Sequence, residues 1–367
     1  MKSWYEIKNI NELDSPALVV YPDRVKENIR ILKQFVPDVS RLRPHVKTNK
    51  CAQVCKLMMD EGIYKFKCAT IAEAEMLGNL NAKDVLLAYQ PVGPKVNRLV
   101  EAVKKFPATK FSCLIDSFDA AQAISNAAQT QSIRLTVFID VNVGMNRTGI
   151  APEQVPSLYN QCESLPGIEI TGLHAYDGHL RDTDLNLRKE KCDAGFAGVA
   201  AIHSQLENQY NKKLVIVAGG TLSFPIHAQR QPVECSPGTF IFWDKGYQQI
   251  LQEQPFLFAA LVVTRIISNP APGIFTTDLG HKAIASENPL ASRVYFLNAE
   301  GLEPIGHSEE HLVLKTSVSS LKVGDVLYGV PHHICPTVAL HETLAVVENH
   351  TVTGSWDIIA RKRKISI

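Results

Sequence analysis

The sequence has no excess of charge of either sign and no long hydrophobic run. Its 367 residues include 38 lysines and arginines against 37 aspartates and glutamates, giving a formal net charge of +1. Such a balance provides no basic surface for nucleic acid or an anionic membrane, so we expect neither as a partner. No apolar run approaches the roughly 18 residues of a membrane span. Small, partly charged molecules are therefore the expected ligands.

Cysteine is also sparse, with eight residues spread through the chain. This density is far below that of a secreted disulfide-stabilised domain, so we expect free and mostly buried thiols. The first sixteen residues, MKSWYEIKNINELDSP, contain no apolar segment of a secretory signal, and we expect a cytoplasmic protein. The length and the 45% hydrophobic content predict two domains with well-filled cores rather than a disordered or fibrous chain.

Short apolar runs alternate with amphipathic stretches over the first 220 residues. We expect strands at residues 17–21, 41–48, 65–70, 84–89, 111–116, 135–140, 168–176 and 214–220. Helices are expected between them, because apolar residues such as Val25, Ile29 and Leu32 recur at helical spacing. Pro22 and Ser117 stand at helix starts.

Apolar strands separated by helices are typical of parallel sheets, and eight such units match a closed (β/α)₈ (TIM) barrel. An open doubly wound sheet is the alternative. After about residue 250, alternating β-rich runs such as EEHLVLKT and TLAVVENH predict a second, mostly antiparallel β domain. We therefore predict a barrel over residues 16–250 and a β domain over residues 251–367, which residues 1–15 join.

Several reactive residues follow the predicted strands, at the barrel end where active sites lie. The second predicted strand ends in RPHVKTNK, which contains His45, Lys47 and Lys50. A lysine pointing into a barrel is costly to bury unless it is paired, neutral or covalently used. Arg147 follows the sixth predicted strand on a glycine-flanked turn. For these residues, solvated loop positions are the alternative.

The last two predicted strands are also followed by polar groups. The seventh runs into HAYDGH, which contains Tyr176 and His179. The eighth ends in Gly219-Gly220-Thr221, where glycine and a hydroxyl allow backbone N–H groups to approach an anion. SPGT at residues 236–239 is a second candidate for a phosphate-binding turn. A simple turn is the alternative for both glycine-containing segments.

The β domain contains one pair of metal-binding residue types. His333 and Cys335 are two positions apart, and on an extended strand they would face the same side. Imidazole and thiolate could therefore bind one cation together. Two ligands suit an open catalytic metal site better than a closed structural one. The alternative is a buried cysteine beside a surface histidine.

Taken together, the motifs that follow these strands indicate a particular family more specifically than any single motif does. A lysine on the second strand, an arginine after the sixth and glycine turns after the eighth resemble the alanine racemase-like, fold type III pyridoxal-phosphate enzymes. Within that group, RPHVKTNK, IDVNVGMNRTGI, AGGT, PGTFIF and PHHICPTV resemble the D-threonine aldolase and D-serine dehydratase family. The resemblance covers nearly the whole chain. It implies a barrel of the alanine racemase N-terminal type, an amino-acid substrate and a homodimer.

The resemblance also implies roles for individual residues. Lys47 would be the Schiff-base lysine, with Lys50 as the second choice. Arg147 would lie near the phenolic oxygen of pyridoxal 5'-phosphate, and Tyr176 near its ring nitrogen. The residues that would hold the phosphate are Gly219, Gly220, Thr221, Gly238 and Thr239.

His333 and Cys335 match the metal pair of the family, in which the second ligand is cysteine in the dehydratases and an acid in the aldolases. A thiolate ligand favours zinc over Mg²⁺ or Mn²⁺. The sequence departs from the related patterns at two positions. Asn49 stands where the family has histidine, and Ser236 stands where alanine racemases have an arginine facing the ring nitrogen. The second departure disfavours a racemase.

The implied function is a pyridoxal-phosphate- and metal-dependent lyase of D-3-hydroxy amino acids. The cofactor would stabilise a carbanion at Cα. If Lys47 removes the α-proton and the cation activates the 3-hydroxyl, the substrate is dehydrated. If His179 or His45 takes the hydroxyl proton instead, the Cα–Cβ bond breaks. The remaining alternatives are an amino-acid racemase, a non-catalytic pyridoxal-phosphate carrier and a metal-dependent hydrolase.

Overall fold

The computed structural model describes residues 3–317 and 320–367. The strands in these residues are β1 (Ala17–Val20), β2 (Lys65–Cys68), β3 (Asp84–Leu87), β4 (Lys110–Ile115), β5 (Leu135–Val141), β6 (Ile168–Ala175), β7 (Val215–Ala218), β8 (Glu234–Cys235), β9 (Ala260–Ala271), β10 (Ile274–Thr277), β11 (Val294–Phe296), β12 (Glu303–His307), β13 (Leu312–Lys315), β14 (Val326–Pro331), β15 (Thr343–Glu348) and β16 (Thr351–Asp357). The α-helices are α1 (Pro22–Phe35), α2 (Ala52–Asp60), α3 (Ile71–Asn79), α4 (Pro94–Lys105), α5 (Phe118–Thr130), α6 (Val155–Glu163), α7 (Leu185–Tyr210), α8 (Phe224–His227), α9 (Lys245–Ile250) and α10 (Ile334–Leu340). In this part of the chain, no helix combines the length and the apolar character needed to span a membrane.

The chain divides into two compact units. The barrel unit comprises Leu32–Lys47, Cys55–Gly238 and Lys362–Ile367, and the sheet unit comprises Met1–Ile31, Thr48–Val54 and Thr239–Arg361. These bounds differ from the expected ranges, 16–250 and 251–367. One reason is that β1 pairs with strands of the sheet unit, so the N-terminal segment belongs there.

The barrel unit contains a parallel sheet in which β2 to β8 are neighbours in chain order. All seven residues of β5 are buried, as expected for a strand that is covered on both faces. Ser117 is the N-cap of α5, and its side chain accepts a hydrogen bond from the backbone N–H of Ala120. The predicted α/β barrel with a second, β-rich domain is therefore present.

The segment 42–46 links the two edges of the parallel sheet. Leu42 forms a parallel bridge with Cys235 of β8, and His45 forms one with Lys67 of β2. Near β8, the backbone N–H of His45 donates to the carbonyl of Pro237 at 3.0 Å. At β2, the backbone N–H of Lys67 donates to the carbonyl of Pro44 at 2.9 Å. Residues 41–48 were expected to form a regular strand. Only single bridges form, since Pro44 has no N–H for a continuous ladder.

Two strand predictions for the barrel are corrected. The run at residues 17–21 is not a barrel strand, because β1 pairs antiparallel with β9 and parallel with β15 in the sheet unit. A fully apolar run fits a central position in either sheet, and its periodicity does not distinguish them. The last barrel strand is instead β8, whose two residues are too short to produce a periodic signal.

The sheet unit is built on nine strands. Seven of them lie in the order β12, β13, β10, β9, β1, β15 and β16, while β14 pairs with both β9 and β11. The pairings are antiparallel except for the one between β1 and β15. Its core includes Val19, Leu261, Val263 and Val330. The expected mostly antiparallel β domain is therefore present.

The cysteines behave as expected from their low density. All eight are free thiols, and seven of them are buried. Cys335 is the exception, with intermediate exposure. The fold therefore uses cysteine as a small buried side chain and not as a covalent cross-link.

Arg43 contributes two ion pairs to the segment 42–46, which we call the closing segment. Its Nε atom lies 2.7 Å from Oε2 of Glu234 in β8, and its Nη1 atom lies 2.6 Å from Oδ1 of Asp84 in β3. The guanidinium is almost completely buried, with 1% of the residue exposed. One side chain thus joins the segment 42–46 to the N-terminal ends of two strands.

We expect Arg43→Ala to lower the free energy of unfolding by about 3 kcal/mol, because Asp84 and the buried Glu234 lose their guanidinium partner. The loss stays at the low end for a buried pair because Lys65 still pairs with Glu234. Lys56→Ala is the matched control, since it removes an exposed i,i+4 pair with Asp60 at 3.4 Å and should cost less than about 1 kcal/mol. Urea unfolding of both variants measures the difference. Equal losses would show that the Arg43 pair does not hold the closing segment.

Candidate active site

A cavity of about 200 Å³ opens within the barrel unit, beside the C-terminal ends of its strands. Its lining combines two lysines, an arginine, two histidines and two tyrosines with small residues: His45, Lys47, Lys67, Ala69, Ala88, Tyr89, Arg147, Thr148, His174 and Tyr176. The sequence predicts His45, Lys47, Arg147 and Tyr176 at this end of the barrel. The structure brings these four together in one cavity.

Lys47 reaches the cavity because it follows the closing segment directly. The backbone N–H of Lys47 donates to Nδ1 of His45 at 3.3 Å. The neutral ring of His45 therefore carries its proton on Nε2. His45 is itself 9% exposed and is fixed by its backbone bridge to Lys67. The position of Lys47 is thus set by the same hydrogen bonds that link the sheet edges.

Lys67 was not identified from the sequence, although it lies in the same cavity. Its Nζ atom lies 3.3 Å from Nε2 of His174, and Nδ1 of His174 lies 2.7 Å from Oδ1 of Asp140. Each of these three residues stands near the end of its strand, in β2, β6 and β5 respectively. The available signal was a strand, KFKC, in which Lys65 and Lys67 share one face.

The charges of this chain of groups follow from burial. Burial, and then the nearby Lys47 cation, lowers the pKa of Lys67 to about 7. Burial and Lys67 also lower the pKa of His174, which is therefore a neutral ring at neutral pH. Burial alone would raise the pKa of Asp140, but His174 and the Thr148 hydroxyl hold it below its usual range. A carboxylate, a neutral imidazole and an amine that titrates near neutral pH are therefore hydrogen-bonded one to the next.

Tyr176 is held by contacts on its ring. The guanidinium carbon of Arg147 lies 4.9 Å from the ring centroid, a distance at which a cation is attracted to the ring. A Cβ atom on Gly220 would lie 2.6 Å from Cε2 of Tyr176, which is closer than real contacts allow. Gly220 is therefore required for the ring to pack where it does.

The two predicted phosphate turns meet in the barrel unit. The Gly238 N–H donates to Oγ1 of Thr221 at 3.2 Å, and the Ser236 N–H donates to the carbonyl of Gly219 at 2.9 Å. Gly219 has φ +76°, and a Cβ there would lie 2.9 Å from Cα of Phe224. Among the residues that the structure describes, none provides a hydrogen-bond partner for the buried Oγ of Ser236. Such a cradle fits a phosphate group.

Asp177 anchors the loop that follows Tyr176. Its Oδ2 atom lies 2.9 Å from Nε2 of His227, and its Oδ1 atom accepts from the Ser223 hydroxyl at 2.5 Å. Arg230 donates to Nδ1 of His227 at 2.7 Å. Because a guanidinium only donates, the neutral His227 ring carries its proton on Nε2 and donates to Asp177. Burial raises the pKa of Asp177, but these donors hold it below its usual range.

Asp177, Cys192 and His227 also have the spacing of a metal site. Their ligand atoms lie within 4.8 Å of one another, and all three residues are buried. Burial, and then Asp177, raises the pKa of the Cys192 thiol to about 12. A cation would have to displace the thiol proton and the His227 Nε2 proton, beside the Arg230 guanidinium. This chemistry favours a hydrogen-bonded cluster over a metal centre.

The predicted metal pair lies in the sheet unit. His333 is the N-cap of α10, and Cys335 is in its first turn. The expectation that both residues lie on an extended strand is therefore wrong, since the chain turns into a helix between them. Their side chains are nevertheless hydrogen-bonded, and Nδ1 of His333 lies 2.5 Å from Oε1 of Glu287. Burial lowers the pKa of His333, but Cys335 and Glu287 raise it to about 9.

Two threonine hydroxyls lie near the Cys335 thiol in the sheet unit. Oγ1 of Thr48 is 3.1 Å from Sγ, and Oγ1 of Thr239 is 3.7 Å from Sγ. Thr239 is also a predicted phosphate ligand, and its hydroxyl lies beside this thiol. His179, a candidate base, lies beside Gly144 and is not part of the cavity lining.

The comparisons with known proteins agree with this geometry. The alanine racemase N-terminal domain family matches residues 20–244, and a serine dehydratase domain family matches residues 259–347. D-threonine aldolase from Arthrobacter sp. is 27% identical over 95% of this chain and 93% of its own length. D-threo-3-hydroxyaspartate dehydratase from Delftia sp. strain HT23 is 31% identical over 94% of this chain and 97% of its own length.

A solved structure gives the same result for the fold. D-threonine aldolase from Filomicrobium marinum has a TM-score of 0.89 and 23% identity, and the similarity covers 98% of this chain and 99% of that one. The first family match spans more than half of the chain, and the cavity holds the lysine, arginine and tyrosine that the family motifs indicate. The chain therefore belongs to the D-threonine aldolase and D-serine dehydratase family of alanine racemase-like, pyridoxal-phosphate-dependent lyases.

Proposed function

We propose that this protein is a pyridoxal-phosphate- and divalent-metal-dependent lyase that acts on D-3-hydroxy amino acids. The observation that carries the proposal is the convergence of Lys47, Arg147 and Tyr176 on one cavity, with Gly220 packed against the Tyr176 ring. Relatives that cover nearly the whole chain are aldolases and dehydratases of such substrates by name. A homodimer, which the family resemblance implies, and a cytoplasmic location stay predictions.

The donor set of the barrel unit fits pyridoxal 5'-phosphate. Lys47 would carry the cofactor, Arg147 would lie near its phenolic oxygen and Tyr176 near its ring nitrogen. Gly219, Gly220, Thr221 and Gly238 would hold the phosphate, with the unsatisfied Ser236 hydroxyl as a further donor; Thr239 stays a predicted member of this set. When bound, the cofactor stabilises negative charge at Cα of an amino acid.

His333 and Cys335 would hold the divalent cation, and a thiolate among the ligands favours zinc. Solved structures of D-threo-3-hydroxyaspartate dehydratase include variants in which a histidine and a cysteine two positions apart are replaced by alanine, and the cysteine variant is in a metal-free form. The same spacing occurs here. A cation at this pair would act as a Lewis acid on the 3-hydroxyl of the substrate.

The residues of the cavity supply proton transfer. Lys47 stands at the end of the closing segment and would take the proton from Cα. Loss of the 3-hydroxyl then completes a dehydration, which the His333–Cys335 pair favours because the family's dehydratases have cysteine there. Retro-aldol cleavage is the second candidate. The sequence predicts His45 or His179 as its base, but Nε2 of His45 carries a proton and His179 does not line the cavity. The relatives of the chain support both reactions, since they include both classes by name.

Product analysis tests the function directly. Purified protein with pyridoxal phosphate and zinc is incubated with D-serine and D-threonine, and glycine, aldehyde, ammonia and 2-oxo acid are assayed together. We expect 2-oxo acid and ammonia from a dehydratase, and glycine with acetaldehyde from D-threonine by an aldolase. Racemisation without either product set would contradict a lyase.

We expect Lys47→Ala to abolish the visible absorbance of the lysine-bound cofactor, because Lys47 lines the cavity and follows the closing segment. Lys50→Ala is the matched control, three residues away, and should retain that absorbance. Titration of each purified variant with pyridoxal phosphate, followed spectroscopically, provides the measurement. The reverse pattern would assign the cofactor to Lys50.

We expect Cys335→Ala to lower the bound zinc measured by elemental analysis, while Cys192→Ala retains it. Cys192 is the matched control because it belongs to the other group of metal-ligand types and holds its thiol proton tightly. Chelation should likewise reduce activity and leave the cofactor bound. Loss of zinc in Cys192→Ala alone would place the metal at the Asp177 cluster instead.

A further inference from the structure

We propose that Lys67 is a second proton-transferring residue of the active site, acting at the 3-hydroxyl oxygen of the substrate while Lys47 acts at Cα. The inference rests on the proposed function and deepens it. It begins from the cavity, which two lysines line. The family motifs account for only one of these lysines.

The position of Lys67 is fixed by the fold. Its backbone is hydrogen-bonded to the closing segment on one side, where its carbonyl accepts from Val46 at 2.9 Å, and to β3 on the other. Its Nζ atom donates to His174, which is held in turn by Asp140. Only 3% of the residue is exposed. The Lys67 amine is therefore held in one orientation by His174, which Asp140 holds in turn.

The groups around Lys67 come from several elements. Lys47 follows the closing segment, Asp140 ends β5, and His174 ends β6. Arg147, Tyr176 and Asp177 stand on the loops after β5 and β6, and the Tyr176 ring centroid lies 5.3 Å from Nζ. The two nearby carboxylates favour the ammonium form of Lys67, but burial and then the Lys47 cation outweigh them and lower its pKa to about 7. Both protonation states are therefore populated near neutral pH.

The other titratable side chains of the cavity are less suited to this proton transfer. Both ring nitrogens of His174 are engaged, by Lys67 and by Asp140. Nδ1 of His45 accepts from the Lys47 backbone, so its Nε2 carries a proton and is no base. Burial raises the pKa of Tyr89 to about 12. Arginine stays protonated at all relevant pH values.

Both reactions proposed for the enzyme move one proton between Cα and the 3-hydroxyl oxygen, in opposite directions. In dehydration the proton leaves Cα, and the departing hydroxyl gains one to become water. In retro-aldol cleavage the hydroxyl loses its proton as the Cα–Cβ bond breaks, and Cα gains one. Lys47 exchanges a proton with Cα, and Lys67 exchanges one with the 3-hydroxyl oxygen. One proton passed between the two amines after the reaction then returns both lysines to their starting protonation states.

The first test uses the full chain after its cofactor has been removed. Formaldehyde and cyanoborohydride methylate neutral amines, and peptide mapping across a pH series gives a midpoint for each lysine. We expect half-maximal labelling of Lys67 near pH 7. Lys213, whose side chain is 95% exposed, is the internal control for the labelling reaction at each pH. A Lys67 midpoint above pH 9, or no labelling, would overturn the proposal.

The second test compares pH profiles of kcat/KM in the loaded enzyme. For a retro-aldol enzyme Lys67 must start neutral, so activity should rise with pH through its titration. For a dehydratase it must start protonated, so activity should fall instead. Lys67→Met should remove that limb and lower kcat/KM by about 100-fold or more, whereas Lys213→Met should change neither. The proton-transfer role of Lys67 is contradicted if the same pH dependence of kcat/KM persists in Lys67→Met. It is also contradicted if kcat/KM changes with pH in the direction opposite to the one expected for the products identified.

The two proposals fail separately. Lys67→Met should keep the visible absorbance of the bound cofactor, because Lys47 carries it. If the wild-type chain binds no pyridoxal phosphate but Lys67 is labelled with a midpoint near pH 7, the proposed function is rejected. The proton-transfer role of Lys67 is then rejected with it, although its lowered pKa stands. If the cofactor binds and a lyase product forms but Lys67 is labelled only at high pH, the role of Lys67 alone is rejected.

Discussion

The barrel unit depends on the way in which the segment 42–46 joins the two edges of its parallel sheet. Pro44 prevents a regular ladder, so the junction consists of single bridges to Cys235 and Lys67 and of the buried Arg43 ion pairs. The same few hydrogen bonds place Lys47 in the cavity. The hydrogen bonds that close the barrel therefore also position the predicted cofactor lysine, Lys47.

The second constraint is the cost of placing several cations at one barrel mouth. Lys47, Lys67 and Arg147 line the same small cavity, and the fold reduces their mutual repulsion in two ways. One lysine loses its proton near neutral pH, and the Arg147 guanidinium lies over the Tyr176 ring. A neutral amine beside a neutral imidazole is stable in a low-dielectric site where a second ammonium would not be. The resulting chemistry is acid–base chemistry near pH 7.

The two groups of metal-ligand types differ in the state of their thiols and rings. In the Asp177 cluster, Arg230 determines the tautomer of His227, and burial keeps Cys192 protonated. The cluster is fully explained as an anchor for the loop that carries Tyr176. His333 and Cys335 are half-exposed at the start of a short helix, where a cation can reach them. Ligand type and spacing alone do not distinguish the two groups, whereas their burial and the Arg230 guanidinium beside His227 do.

Local motifs were enough to predict the α/β barrel with its β domain, and to name Lys47, Arg147, Tyr176 and the glycine turns, because such features depend on neighbouring residues. Periodicity reports burial and not the sheet in which a strand pairs, so β1 was placed in the wrong sheet and the two-residue β8 was missed. Lys67 and His174 are 107 positions apart in the chain. Their contact, and the burial that lowers the pKa of Lys67 to about 7, exist only after parallel strands have brought distant polar groups into one cavity.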